Sequence, residues 1–260
     1  MCPDDDVRIP RMQMNAYGLA LVTPRSPGVA LWWSVLLPGF GHFYVGSHLK
    51  GFVLLAWEAA INNMAHLNLA IYYSILGEPQ QAARVLNLEW AILYPFIYLF
   101  SIWDAYRLAV EVSKLNQLEE LQGHRQFTRI KLHPIWGMNF LEKRNPFTAA
   151  FFSILVGGLG HLYNLRIAKA AMLAFWQVLV MVKSHGHEAI AFTLQGRFHD
   201  AAAVIDYQWF LFWPSVALFN VVNAYTDAIQ LNNLFDDEWE HRLRKYLRNP
   251  SWPQRPAKNQ

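Results

Sequence analysis

The chain holds one cysteine, Cys2, so no disulfide forms within it and a disulfide-stapled secreted scaffold is excluded. Charge is scarce as well: 16% of the 260 residues are Asp, Glu, Lys or Arg, where a soluble domain carries about a quarter. The marks of enzymes are missing too. No nucleophile stands with a base, no carboxylates pair in a cleft pattern, and no glycine-rich stretch ends in Gly-Lys-Ser or Gly-Lys-Thr, which rules out a phosphate loop. Neither catalysis nor a cofactor is expected. No apolar signal region precedes Cys2, so neither a cleavable leader nor lipid attachment at that residue is expected.

What the chain has instead is apolar and aromatic bulk: 54% hydrophobic residues, with eleven Trp and eleven Tyr. These amphipathic rings favour the headgroup level of a bilayer. The mean hydropathy of +0.11 is modest, because polar stretches gather at the two ends and in one central linker. The composition favours an integral membrane protein over the alternative, a soluble all-α protein with a large core.

The strongest signal is internal. Shifted by 119 residues (Ser34 onto Ser153), positions 34–115 align with 153–234 without a gap. Gly39 meets Gly158, Gly41-His42 meets Gly160-His161, Tyr44 meets Tyr163, Lys50 meets Lys169, and Trp57 meets Trp176. Further on, His66 meets His185, Gly77 meets Gly196, Trp90 meets Trp209, Pro95 meets Pro214, and Ala105-Tyr106 meets Ala224-Tyr225. About a quarter of the aligned positions are identical, many of them rare residue types, and this reads as a tandem duplication.

Each copy has the same order of parts. An apolar segment at 29–45, or 148–164, is broken by Pro38-Gly39-Phe40-Gly41 or Gly157-Gly158-Leu159-Gly160. A second segment runs from Lys50 to about Leu76, or from Lys169 to about Leu194, and turns polar halfway. A short polar helix follows, at 80–85 or 199–204. The closing segments, 88–112 and 207–231, are long enough to cross an apolar layer about 30 Å thick at about 1.5 Å per residue. Pro95 and Pro214 lie inside them, where kinks are expected.

Basic residues choose between topologies. The linker over 114–146 carries Lys114, Arg125, Arg129, Lys131, Lys143 and Arg144, and the tail carries Arg242, Arg244, Lys245, Arg248, Arg255 and Lys258. The loops after Gly77 and Gly196 hold only Arg84 and Arg197. Two crossings per copy put every basic segment on one face, as the positive-inside rule asks; three would put the linker and the tail on opposite faces. The expected fold is therefore an all-α polytopic membrane protein of two tandem repeats, with four spanning helices and two Gly-broken or re-entrant segments. Six spans with inverted repeats is the rival. The expected layout is a polar arm over 1–28, repeats over 29–115 and 148–234, a basic cytoplasmic linker over 116–147 and a basic tail over 235–260. It places the chain in the cell membrane, multi-pass, with both termini in the cytoplasm.

The stretch Leu37-Pro38-Gly39-Phe40-Gly41-His42-Phe43-Tyr44-Val45-Gly46, with Lys50-Gly51 after it, resembles a glycine-rich hairpin of small bacterial membrane proteins. It is similar to the two-transmembrane-helix domain family and to the N-terminal segment of some bacterial sugar-permease subunits. The resemblance covers about residues 30–57 and, less well, 149–176, where Gly157, Leu165 and Ala170 replace the proline, the last glycine of the motif and the glycine after the lysine. It implies a membrane hairpin and no particular activity; the whole chain resembles bacterial multi-pass membrane proteins of uncharacterised role.

The candidate residues follow from these patterns. Pro38, Gly39, Gly41, Gly46, Gly158 and Gly160 are expected to let helices pack closely, with a ligand-facing break as the alternative. His42 and His161, each two residues before Tyr44 or Tyr163, are expected to form a packing pair across the repeat axis, with protonation switching as the alternative. Glu58, matched by Gln177, is the candidate for a pathway through the membrane. Asp104 and Arg107, three apart, are expected to pair on one helix face. His185 and His187 are a weak metal candidate, because alternate spacing suits a strand better than a helix. Expected partners are the lipid bilayer, anionic headgroups drawn by the basic segments, and a protein partner or a second copy; no nucleic acid is expected. The function read from these features is a non-enzymatic scaffold or assembly protein; the alternative is a solute or ion pathway between the repeats.

Overall fold

The computed structural model describes residues 12–15, 18–21, 23–121, 131–133, 137–139 and 142–248. Cys2, the acidic run at 4–6, Arg125, Arg129 and the tail beyond Arg248 lie outside the described residues.

Both halves are helical, each headed by a short hairpin. The first runs β1 (Met12–Asn15), β2 (Gly18–Leu21), α1 (Pro27–Leu36), α2 (Phe40–Val45), α3 (His48–Ala65), α4 (Leu67–Ile75), α5 (Pro79–Val85), α6 (Leu88–Ala91) and α7 (Tyr94–Leu121). The second runs β3 (Lys131–His133), β4 (Gly137–Asn139), α8 (Pro146–Leu155), α9 (Leu159–Tyr163), α10 (Ile167–Lys183), α11 (Gly186–Leu194), α12 (Phe198–Val204), α13 (Tyr207–Phe210) and α14 (Phe212–Arg248). Each hairpin is antiparallel, and the offset that takes Ser34 to Ser153 also takes Met12 to Lys131 and Gly18 to Gly137. The hairpins thus stand at equivalent places within stretches that read from sequence as arm and linker.

The same chemistry starts α1 and α8. Ser26 caps α1 by accepting from the Val29 amide, and Asn145 caps α8 by accepting from Phe147 and Thr148. Pro27 and Pro146 follow in the first turn, where a missing N–H costs nothing. Upstream, the Arg25 amide bonds Ser113 Oγ while that hydroxyl donates to the Arg25 carbonyl, and Arg144 is tied in the same two ways to Asn232. Each closing helix thereby clamps the entry to its own half.

Glycine makes the hairpin of α1, α2 and α3 possible. Gly39, at φ 96°, turns the chain from α1 into α2, and a Cβ there would strike the Gly51 carbonyl. A Cβ on Gly41 would run into the Ala30 carbonyl and Ser34, and one on Gly160 into the Ala149 carbonyl and Ser153. The exits differ. Gly46 ends α2 at φ 104°, whereas Leu165 takes that place after α9 at φ 59°. A side chain in the left-handed region costs about 1–2 kcal/mol, and open space surrounds a Cβ at Gly46. Gly46→Ala is therefore expected to lose about 1 kcal/mol through the backbone alone, read as a fall in unfolding midpoint, and Leu165→Gly to move it the other way.

Two expectations about the long helices change. The segment from Lys50 to Leu76 breaks at His66, and its counterpart at His185, both in the left-handed conformation at φ 54° and 55°; histidine is among the side chains that tolerate it. The second break bends the chain by 67°. Pro95 and Pro214 do not kink helix interiors but lie in the first turns of α7 and α14. The sharp bends come earlier, 85° between α5 and the α6–α7 segment and 86° between α12 and the α13–α14 segment. Among the described residues no single helix is long and apolar enough to cross a membrane, but three bent pairs have the length and composition together. The physical reason lies in charge: α7 is 28 residues long, yet Asp104, Arg107, Glu111 and Lys114 interrupt its apolar run.

The core sits on the join between the halves. Phe219 of α14 stacks on Phe40 of α2 with ring centroids 4.3 Å apart, and meets Trp33 edge-on at 5.0 Å. Leu173, Trp176, Val180, Phe212 and Val216 of the second half complete this cluster with Phe43, Leu55 and Ala59 of the first.

Candidate functional site

In each half a buried aspartate gathers lysine and histidine around it. In the first, Asp104 on α7 accepts from Lys50 Nζ at 2.7 Å and Arg107 at 2.7 Å, and lies 3.0 Å from His42 Nε2. The Asp104–Arg107 pair expected from the spacing is thus formed, and Lys50 joins it. In the second half the residue aligned with Asp104 is Asn223, and the carboxylate is Asp227, one helical turn later. It still holds the equivalent pair: Lys169 Nζ lies 2.8 Å away and His161 Nδ1 3.4 Å away, while Lys169 also donates to Asn223. His42 and His161 therefore do not pair with each other. His42 is hydrogen-bonded to the carboxylate of its own half, a strong arrangement for a buried imidazole, whereas His161 only lies beside Asp227, with no hydrogen bond at either ring nitrogen.

The one-turn shift has a consequence across the join. Asp227 lies 3.9 Å from Arg25, which heads the other half. The two clusters accordingly differ in exposure: the Lys50 and Arg107 side chains are 44% and 42% exposed, whereas those of Lys169 and Arg25 are 2% and 4% exposed. Arg25 also lies over the Tyr44 ring at 5.0 Å, and Arg144 over Tyr163 at 5.0 Å. Those tyrosine hydroxyls accept from the Ser26 and Asn145 amides, each at 3.3 Å. The roles of Asp227 and Arg25 escape a position-by-position reading; the legible signal for Arg25 is its place two residues before Pro27, as Arg144 precedes Pro146.

A second network joins the halves through amides. Gln208 of α13 donates to the Asn62 carbonyl at 3.0 Å and to Asn62 Oδ1 at 2.9 Å. Its own Oε1 accepts from the Leu69 amide at 2.8 Å, and its carbonyl accepts from Asn68 at 3.0 Å. Asn62 in turn donates to Glu58 Oε1 at 3.1 Å. Tyr72 stacks on Tyr207 with centroids 4.0 Å apart beside it. Glu58 is thus held inside a structural seam, while Gln177 lies against Gly157 within the second half. The two are not brought together.

A pocket of about 310 Å³ lies along the seam, lined chiefly by Phe52, Ala56, Ala59, Phe175, Trp176 and Leu179. Glu58, Gln177, His42 and His161 are not among its lining residues. His185 and His187 share Glu188, at 2.9 and 3.7 Å, at an exposed break. No group of three or more His, Cys, Asp or Glu placed to hold a metal ion is found among the described residues. Chemically, these arrangements hold helices together. Compared with protein-family models, with curated proteins and with solved structures, the chain matches none.

Proposed function

We propose that this chain is a membrane-embedded, non-enzymatic assembly protein whose work is done by packed helices. The observation that carries this reading is where its ionisable groups and its aromatics go. The buried aspartates Asp104 and Asp227 are spent on lysine, arginine and histidine of the same chain and Glu58 on Asn62, while large apolar side chains such as Trp32, Phe96 and Trp103 face outward. An exterior of this kind suits lipid or a protein partner, since soluble monomers rarely expose broad apolar patches. The three bent pairs supply spanning length, and the Lys and Arg distribution supports two crossings per repeat with linker and both termini in the cytoplasm. There the basic linker and tail attract anionic headgroups, by about 1 kcal/mol per basic residue near the surface.

Reporter fusions test the placement. Gln117 and the C-terminus are expected to report from the cytoplasm and Gly77 and Gly196 from the other side; Gln117 and the C-terminus on opposite faces would overturn it. Reconstituted in liposomes, the protein is expected to pass no ion or small solute. Flux that disappears in Glu58→Leu would instead establish the pathway reading.

A further inference from the structure

The two halves meet through unequal faces. The first repeat contributes α2 and α3, with Phe40, Phe43 and Ala59 buried, and the second contributes α10 and α14, with Trp176, Phe212 and Phe219 buried. A symmetric contact would bury the equivalents of both sets. It does not: Leu159 and Leu162, which match Phe40 and Phe43, are 39% and 48% exposed. Phe100 and Trp57, which match Phe219 and Trp176, are 47% and 55% exposed. The join is heterologous, head to tail, and leaves one head on the second repeat and one tail on the first.

We infer that a second copy of this chain continues the series, seating the α7 face of its first repeat, around Phe100, on the α9–α10 face of the second repeat, around Leu159 and Leu162. Apolar exposure alone carries little weight in a bilayer, because lipid tails cover such a face equally well. The weight lies in continuity with the internal join and in the charges. At that join Arg25 of the head meets Asp227 of the tail. On the open head the matching arginine, Arg144, brings its own carboxylate, Glu142, at 2.5 Å, where the first repeat has Thr23. On the open tail the position matching Asp227 is Leu108. Both halves of the exchange are made, so the new contact buries no lone arginine or carboxylate at this place. A heterologous contact repeats from copy to copy, as a ring if its rotation closes and as a row if it does not.

This inference rests on the assembly reading above, and the experiment separates the two. Full-length chains carrying Cys2→Ser with either Phe100→Cys or Leu159→Cys are co-expressed, and isolated membranes are treated with a short bis-maleimide. The expected result is a covalent dimer when both variants are present and none with either alone; the wild-type chain purified in mild detergent is expected to run at multiples of its mass, and Phe100→Ala to shift it to the monomer. A cross-link with Phe100→Cys alone would show a symmetric contact and overturn the inference. So would a monodisperse monomer with no cross-link, in which case the assembly reading survives with a different partner. Absence of the chain from the membrane fraction would defeat that reading itself.

Discussion

Asp227→Ala is expected to destabilise the protein by about 3–5 kcal/mol, because removing one member of a buried ion cluster leaves its partners charged and dry. Lys169 and Arg25, with side chains 2% and 4% exposed, have no route to water, and Asp227 lies within 2.8 Å of the first and 3.9 Å of the second. Asp104→Ala makes the internal control. Its partners Lys50 and Arg107 are more than two-fifths exposed and can turn to solvent, leaving His42 as the main buried loss, about 1–2 kcal/mol. With a change of 1 kcal/mol worth about 2–4 °C in a chain near this size, thermal unfolding in detergent should show Asp227→Ala falling by about 10 °C and Asp104→Ala by about a third of that. Equal falls would mean that the one-turn shift of the carboxylate has no structural consequence.

Phe219→Ala and Phe100→Ala form the second contrast, and a sharper one because the residues are identical and occupy equivalent positions. Phe219 is fully buried against Phe40 and Trp33 at the join, so its truncation should cost about 3–5 kcal/mol. Phe100 is 47% exposed, and in the monomeric chain its loss should fall within about 0.5 kcal/mol. Urea unfolding of the two variants at low protein concentration measures this difference. At high concentration Phe100→Ala should instead lower the apparent stability in proportion to the assembly that it dissolves.

Much of this organisation is legible in the sequence, and the rest fails for identifiable reasons. The correspondence between the halves is visible because Trp, Gly, His and Pro recur at one offset, and the Asp104–Arg107 pair follows from helix spacing alone. The clamp of Asp227 on Lys169 is not visible to a gapless alignment, since a long lysine side chain reaches a carboxylate one turn away as readily as the aligned position. The break at His66 is hidden because histidine does not announce a left-handed turn as glycine does. The hairpins at Met12–Leu21 and Lys131–Asn139 lie in stretches whose polarity reads as arm and linker. The direction of the join has no sequence signal at all: Phe100 and Phe219 are the same residue, and only tertiary packing decides which is covered.

The measurement that bears most directly on the unequal join is disulfide formation within one chain in a Cys2→Ser background. Phe40→Cys with Phe219→Cys, at positions whose rings stack 4.3 Å apart, is expected to cross-link within a single chain, as a reducible mobility shift. The equivalent pair, Leu159→Cys with Phe100→Cys, is expected to give no link within one chain. If both pairs close inside single chains, the repeats meet symmetrically, and the head-to-tail account is contradicted.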